Sequence, residues 1–374
     1  MHSENTVPQY IRDEAKRFSD TVLSRKNENT FTVLTLCDMH MDYYTDPDNL
    51  SVKDCAAASV LAADAICPDM VAILGDISIG GINTTREETF DQFDRFHEMF
   101  APLTDSRLTV EINGNHDDAP YQGSTDKLTK DELYEGIAKR NLRHDVVTDE
   151  NDPNGGCGYL DIESQKVRVI YLNTHERQDW GSTRAEKSSD VWYLNTDNIS
   201  GAQTKFFAEK CLDFSGKPDP SEWSILVLSH CTLNLALRYV DPDTGITHPT
   251  ATYYPAVILA AYRTGGKGHV SHDGYGIDYD FSKLEKRANV ICDLHGHTHS
   301  YSDEMIGGED GQWLSICMPS AGYDRERPSS DGVTYAKTHG TKDSTSFCAI
   351  TVDKKKRHIW ADHYGAGFDR EYDY

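Results

Sequence analysis

Short apolar runs and longer amphipathic stretches alternate along the first third of the chain. Residues 30–37 (Thr-Phe-Thr-Val-Leu-Thr-Leu-Cys) are β-branched and apolar, the pattern of a buried strand. A helical stretch over about residues 53–66 follows, and then a second apolar run at 70–74. Next come a helix over about 86–100, with Phe90, Phe93, Phe96 and Phe100 at helical spacing, and a strand at 108–112. Three successive β-α units result, and each strand runs into a polar motif: Asp38-Met39-His40, Gly75-Asp76 and Gly114-Asn115-His116-Asp117. In open α/β sheets the carboxyl ends of the strands are where ligands bind.

Further strands are expected at 158–163, 166–173, 223–229, 290–294, 312–318, 347–353 and 357–362, the last two forming a hairpin around Lys354-Lys355-Lys356. An α/β front half joined to a strand-rich back half argues for an α/β fold with two stacked mixed β-sheets flanked by helices. One domain over residues 1–374 is the favoured division, since that length is compatible with a single elaborated α/β unit. Three long polar segments interrupt the plan, at 118–157, 175–198 and 232–280. Loops of that length are usually functional, disordered or small subdomains. The last one, rich in tyrosine and lying between two candidate ligand motifs, is expected to be a substrate-facing cap.

Charge narrows the partners. With 37 Lys and Arg against 61 Asp and Glu, the net charge of −24 repels polyanions, so extended nucleic-acid binding is not expected. A small phosphorylated substrate stays compatible, because bound metal supplies local positive charge. The nine cysteines are spread singly, several inside apolar runs, which reads as buried reduced thiols of a cytoplasmic protein. No apolar stretch is long enough to cross a bilayer, and residues 1–18 lack the apolar segment of a secretory signal. No membrane association is expected, and oligomeric state is not legible.

The chemistry-bearing residues sit at the strand ends. Asp38 and His40, two residues apart where a strand leaves its pleat, can both turn toward one ion. Gly75-Asp76 alone is more often a turn, yet a carboxylate near two ions is needed to bridge them and Asp76 is the natural candidate. Asn115 offers a neutral carbonyl oxygen, His116 a proton donor, and Asp117 a carboxylate able to orient that imidazole. His230 closes the strand at 225–229. Gly296-His297-Thr298-His299 places two imidazoles on one side of an extended segment beside a glycine that permits close approach. Oxygen and imidazole donors in this mixture suit a two-metal centre, which clamps phosphate and activates water when the ions lie about 3.5–4 Å apart.

In that order, the motifs resemble the calcineurin-like metallophosphoesterase superfamily, whose pattern is D-x-H, G-D, G-N-H-[D/E], H and G-H-x-H. The resemblance spans Asp38 to His299, most of the chain, though the gaps before His230 and Gly296 are long. It implies a four-layer αββα sandwich. It also implies that Asp38, His40 and His299 ligate one metal, that Asn115, His230 and His297 ligate the other, and that Asp76 bridges them with an attacking hydroxide. His116 would serve the leaving oxygen, with Asp117 holding it. The expected protein is thus a dinuclear metal-dependent phosphoesterase, using Mn, Fe, Zn or Co, that hydrolyses a phosphomonoester or phosphodiester of a small molecule such as a nucleotide. A nuclease of the same fold and a non-catalytic metal-stabilised binding module are the alternatives. His269 and His272, on a glycine-rich stretch, and Arg325, beside Arg327, are candidate phosphate contacts.

Overall fold

The computed structural model describes residues 7–43, 46–80, 84–118, 128–176, 199–236, 238–240, 247–301, 303–306, 311–322 and 335–374. The front half runs α1 (Gln9–Arg25), β1 (Thr30–Leu36), α2 (Leu50–Ile66), β2 (Met70–Ile73), α3 (Arg86–Thr104) and β3 (Thr109–Glu111). The strands that follow are β4 (Val146–Thr148), β5 (Gly158–Ile162), β6 (Val167–Tyr171), β7 (Ser224–Leu228), β8 (Arg238–Val240), β9 (Thr247–Pro249), β10 (Lys267–His272) and β11 (Tyr275–Asp280). Last come β12 (Asn289–His295), β13 (Glu304–Ile306), β14 (Trp313–Cys317), β15 (Ser346–Asp353), β16 (His358–Gly365) and β17 (Arg370–Asp373).

Two mixed sheets form the centre, as expected. The six-stranded sheet has the order β17-β16-β15-β1-β2-β3, and the seven-stranded sheet β13-β14-β12-β7-β6-β5-β4. Within the first, β1, β2 and β3 are parallel; within the second, β6, β7, β12 and β14 are parallel. Burial on both faces explains why these strands read as continuous apolar runs. In β1 the pleat sends Phe31 and Val33 to the core between the sheets and Leu34 and Leu36 to the helix-covered side. A register shift between Val290 and Cys292 breaks that alternation in β12, so Ile291 and Cys292 both enter the central core.

Helices cover the outer faces. On the first sheet, α1, α2 and α3 contribute Phe18, Val52, Phe93, Phe96 and Phe100. Phe18 meets Phe347 and Tyr364 edge-on, at centroid distances of 5.4 and 5.9 Å, while those two rings stack at 4.4 Å. Such pairs add about 0.5–1.5 kcal/mol each beyond their burial. The polar N-terminal stretch thus holds a helix whose buried Ile11, Ala15, Phe18 and Val22 recur at helical spacing. A capping box between Thr85 and Glu88 starts α3, which runs one turn beyond the expected end.

The 232–280 segment is more ordered than a loop. It contains helix Tyr253–Thr264 and the β10–β11 hairpin, whose Ile258, Leu259, Tyr262, Val270 and Ile277 pack into the core on the outer face of the second sheet. That part of the expected cap is therefore a structural layer. No described helix is long and apolar enough to cross a membrane. All nine cysteines are free and all but Cys67 are buried.

Candidate metal centre

The parallel strands of both sheets end at one edge, and the ligand-type residues lie just beyond those ends. Backbone bonds hold the loops together: Asp38 N–H donates to Gly75 O (2.9 Å), His40 N–H to Asp76 O (3.0 Å) and Gly296 N–H to His230 O (3.1 Å). The two sheets are stitched across the seam by His297 N–H, 3.2 Å from both carboxylate oxygens of Asp38, and by the His230 ring, whose Nδ1 lies 2.7 Å from Leu74 O.

Tight turning is needed to aim these side chains, and it is visible in the backbone. Asp38, His40, Asp76, His297 and His299 all have positive φ, between 47 and 69°. Non-glycine residues seldom adopt that region, and clusters of them mark functional sites. The neighbouring glycines are sterically required. A Cβ on Gly114 would overlap Asp76 Oδ1, and one on Gly296 would lie 2.7 Å from Asp38 Oδ2.

Two ligand groups emerge. Asp38, His40, Asp76 and His299 offer donor atoms that all lie within 4.8 Å of one another, and so do Asp76, His230 and His297. Asp76 belongs to both. In the first group His40 Nε2 and His299 Nε2 are 3.0 Å apart, and His299 Nε2 is 3.1 Å from Asp38 Oδ1. In the second, Asn115 Oδ1 lies 3.0 Å from His230 Nε2 and 2.8 Å from His297 Nδ1, so the amide oxygen completes the set. His230 Nδ1, turned to Leu74 O, leaves Nε2 for a ligand, the usual outer arrangement around a metal-binding imidazole.

A metal fits this donor set. Asp76 Oδ2 and His40 Nδ1 are buried without a hydrogen-bond partner. Convergence of carboxylate, amide oxygen and imidazole in a buried pocket is otherwise costly, and a cation resolves it. Burial, together with the neighbouring rings of His116 and His299, holds His40 down at about 3; burial and His230 do the same for His297. Both imidazoles are therefore neutral and carry free lone pairs. Asp38 and Asp76 are held low by the facing imidazoles despite their burial. Burial opposes a charge on His230, but Asp76 outweighs it and raises that group to about 9.

His116 and Asp117 do not form the expected pair. Asp117 is fully buried, and its oxygens accept from three backbone amides: Gly114 N (2.8 Å), Asp76 N (3.0 Å) and Ser78 N (2.8 Å). It braces the loops after β2 and β3 against each other and so fixes Asp76. Burial and the charge of Asp76 push it up to about 7 against the pull of those amides. The His116 ring is held instead by a backbone carbonyl, with Nδ1 2.6 Å from Ile79 O. Its ring edge packs on His40 at 4.6 Å, beside the first ligand group.

Two other expected contacts have partners of their own. His269 is exposed on β10 and pairs with Asp278 across the hairpin at 2.8 Å. His272 stacks on Tyr254 at 3.9 Å and lies 3.1 Å from Thr204 Oγ1. Arg325 and Arg327 lie outside the described residues. One histidine escaped the sequence reading: His175, buried beyond β6, has its ring 5.4 Å from His230 and 6.4 Å from His297. Its signal was positional, since it follows an apolar strand as His230 does. Neither the models of known protein families nor the curated proteins contain a match to this chain.

Proposed function

We propose that the chain is a dinuclear metal-dependent phosphoesterase of the calcineurin-like kind, acting on a phosphomonoester or phosphodiester of a small molecule such as a nucleotide. The observation that carries this reading is Asp76, one buried carboxylate shared by two converging ligand groups, with Oδ2 lying 3.3 Å from His230 Nε2 and 3.8 Å from His40 Nε2. Mn, Fe, Zn or Co ions bound there would polarise a phosphoryl oxygen and supply an activated water at neutral pH.

The chain's own residues supply the rest. Asn115 and the neutral imidazoles present lone pairs without added charge, while Asp38 and Asp76 offset that of the ions. His116 N–H donates to Asp76 Oδ1 at 2.9 Å, tying the acid loop to the shared carboxylate. With Nδ1–H donating to Ile79 O, the ring presents its second nitrogen toward a leaving oxygen. Phosphate is drawn to these groups although the surface as a whole is acidic.

The test is hydrolysis of nitrophenyl mono- and diesters by chelated protein, before and after adding Mn, Fe, Zn or Co. Activity abolished by chelation and restored by metal, at two ions per chain by elemental analysis, is the expected result. Hydrolysis indifferent to chelator, or a protein that takes up no metal, overturns the reading.

A further inference from the structure

The second ligand group has a buried neighbour, His175, that belongs to neither group. It follows β6, where Tyr171 pairs with Leu228 of β7, so the loop after β6 lies against the loop that carries His230. Cys231 N–H donates to Thr174 Oγ1 at 3.2 Å, which fastens the two loops one residue beyond His230. The His175 ring meets the His230 ring edge-on at 5.4 Å and the His297 ring at 6.4 Å. With His230 and His297 themselves 5.3 Å apart, the three rings form a closed triangle within aromatic contact range.

The backbone around His175 is held from several sides. His175 N–H donates to Asn173 Oδ1 at 3.0 Å, and its Nδ1 lies 3.1 Å from Thr174 Oγ1. Next in the chain, the buried Glu176 carboxylate accepts from Ser200 N–H (3.0 Å), Ser200 Oγ (2.9 Å) and Gln203 Nε2 (2.7 Å), with Lys130 Nζ at 3.2 Å. Gln203 also bonds the backbone N–H and C=O of Asn173, at 2.9 and 3.0 Å. A buried network satisfied in this way rigidifies what it holds.

That rigidity bears on His297. Hydrogen bonds from outside the ligand set usually orient a metal-binding imidazole. His230 has one, to Leu74 O at 2.7 Å, but the His297 ring has as its hydrogen-bond partner among the described residues only the fellow ligand Asn115. Packing therefore orients the His297 ring, and the rings of His175 and His230 are the flat surfaces against it.

We propose that His175 is a positioning residue for the second metal site, its ring wedged against His230 and His297 so that both present nitrogens to one ion. The inference rests on the two-metal reading above and deepens it. Metal-free full chain would be titrated with Mn, the bound ions being counted by calorimetry and by the paramagnetic resonance of free Mn. The wild-type chain should take up two ions. His175→Ala should keep the ion of Asp38, His40 and His299 and weaken the other by about ten- to a hundredfold, the range for losing a support behind a ligand. The ion it retains should match in affinity the one retained by His230→Ala, and not the one retained by His299→Ala. His175→Leu, which fills the space without a flat face, should show the same selective loss to a smaller degree. His175→Phe keeps a planar ring in place and should restore the second ion to within about threefold of wild type.

Wild-type affinity for both ions in His175→Ala overturns the proposal. So does an equal loss of both ions, which is what a merely structural role gives, and so does a His175→Phe chain as weak as His175→Ala. No Mn uptake by the wild-type chain overturns the two-metal reading and this inference together. Two ions in the wild type with an indifferent His175→Ala overturn this inference alone.

Discussion

Loading the metal centre should release a proton from His230, and that release should fade as the pH rises through about 9. His230 is driven down by burial but raised further by Asp76 and Asp38, which leave it at about 9. A ligand imidazole must be neutral, so its proton departs when metal binds. His40 and His297, held at about 3, are already neutral and contribute none. Asp117, at about 7, is mostly ionised by about pH 8 and adds only a fraction. Displacing the His230 proton two pH units below its pKa costs ~3 kcal/mol, or roughly a hundredfold in apparent metal affinity. For the metal-free chain, the raised value means that His230 stabilises the fold below about 6.5 and that this contribution is lost as pH rises through about 9. Asp38 and Asp76, held low, act oppositely: their contribution is present above about 4 and lost in acid. Calorimetric titration with Mn in buffers of differing ionisation enthalpy counts the protons. A count that is the same at about pH 8 and about pH 10 would refute the assignment of His230 as a protonated ligand.

Gly114→Ala should cost metal occupancy and about a hundredfold in turnover with the circular dichroism unchanged, because the new methyl takes the space of Asp76 Oδ1; full metal content and activity would show that Asp76 is free to move. His116→Ala should keep both metals and lower turnover by about 10²–10⁴-fold for poor leaving groups, and much less for nitrophenolate. An equal loss on both substrates would exclude it as the acid. His269→Ala should leave steady-state kinetics on any active substrate unchanged, since its ring pairs with Asp278 on an exposed hairpin; a raised KM would return this hairpin to the role of cap.

How much was legible in the sequence follows from the range of each interaction. The strands β1, β2 and β3 are buried on both faces, so their local composition alone announces them. Helix α1 does not announce itself locally, because its apolar stripe is thin and its charged face dominates the composition. Helix Tyr253–Thr264 and the β10–β11 hairpin were hidden inside a polar segment whose few apolar residues make sense only against the second sheet.

The site divides along the same line. The sequence by itself determined the ligand types, their order and their place at strand ends, because each motif is a local consequence of a chain leaving a pleat. Only the tertiary structure decided which of them meet. Asp76 is shared between His40 and His230 because two sheets of different strand order close against each other at one edge. Strand neighbours within each sheet likewise turn Asp117 onto the amides of Asp76 and Ser78, hand His116 to the carbonyl of Ile79 and bring His175 against His230. Contacts of this kind join residues tens to hundreds of positions apart, and no local propensity encodes them; they depend on the packing of whole layers.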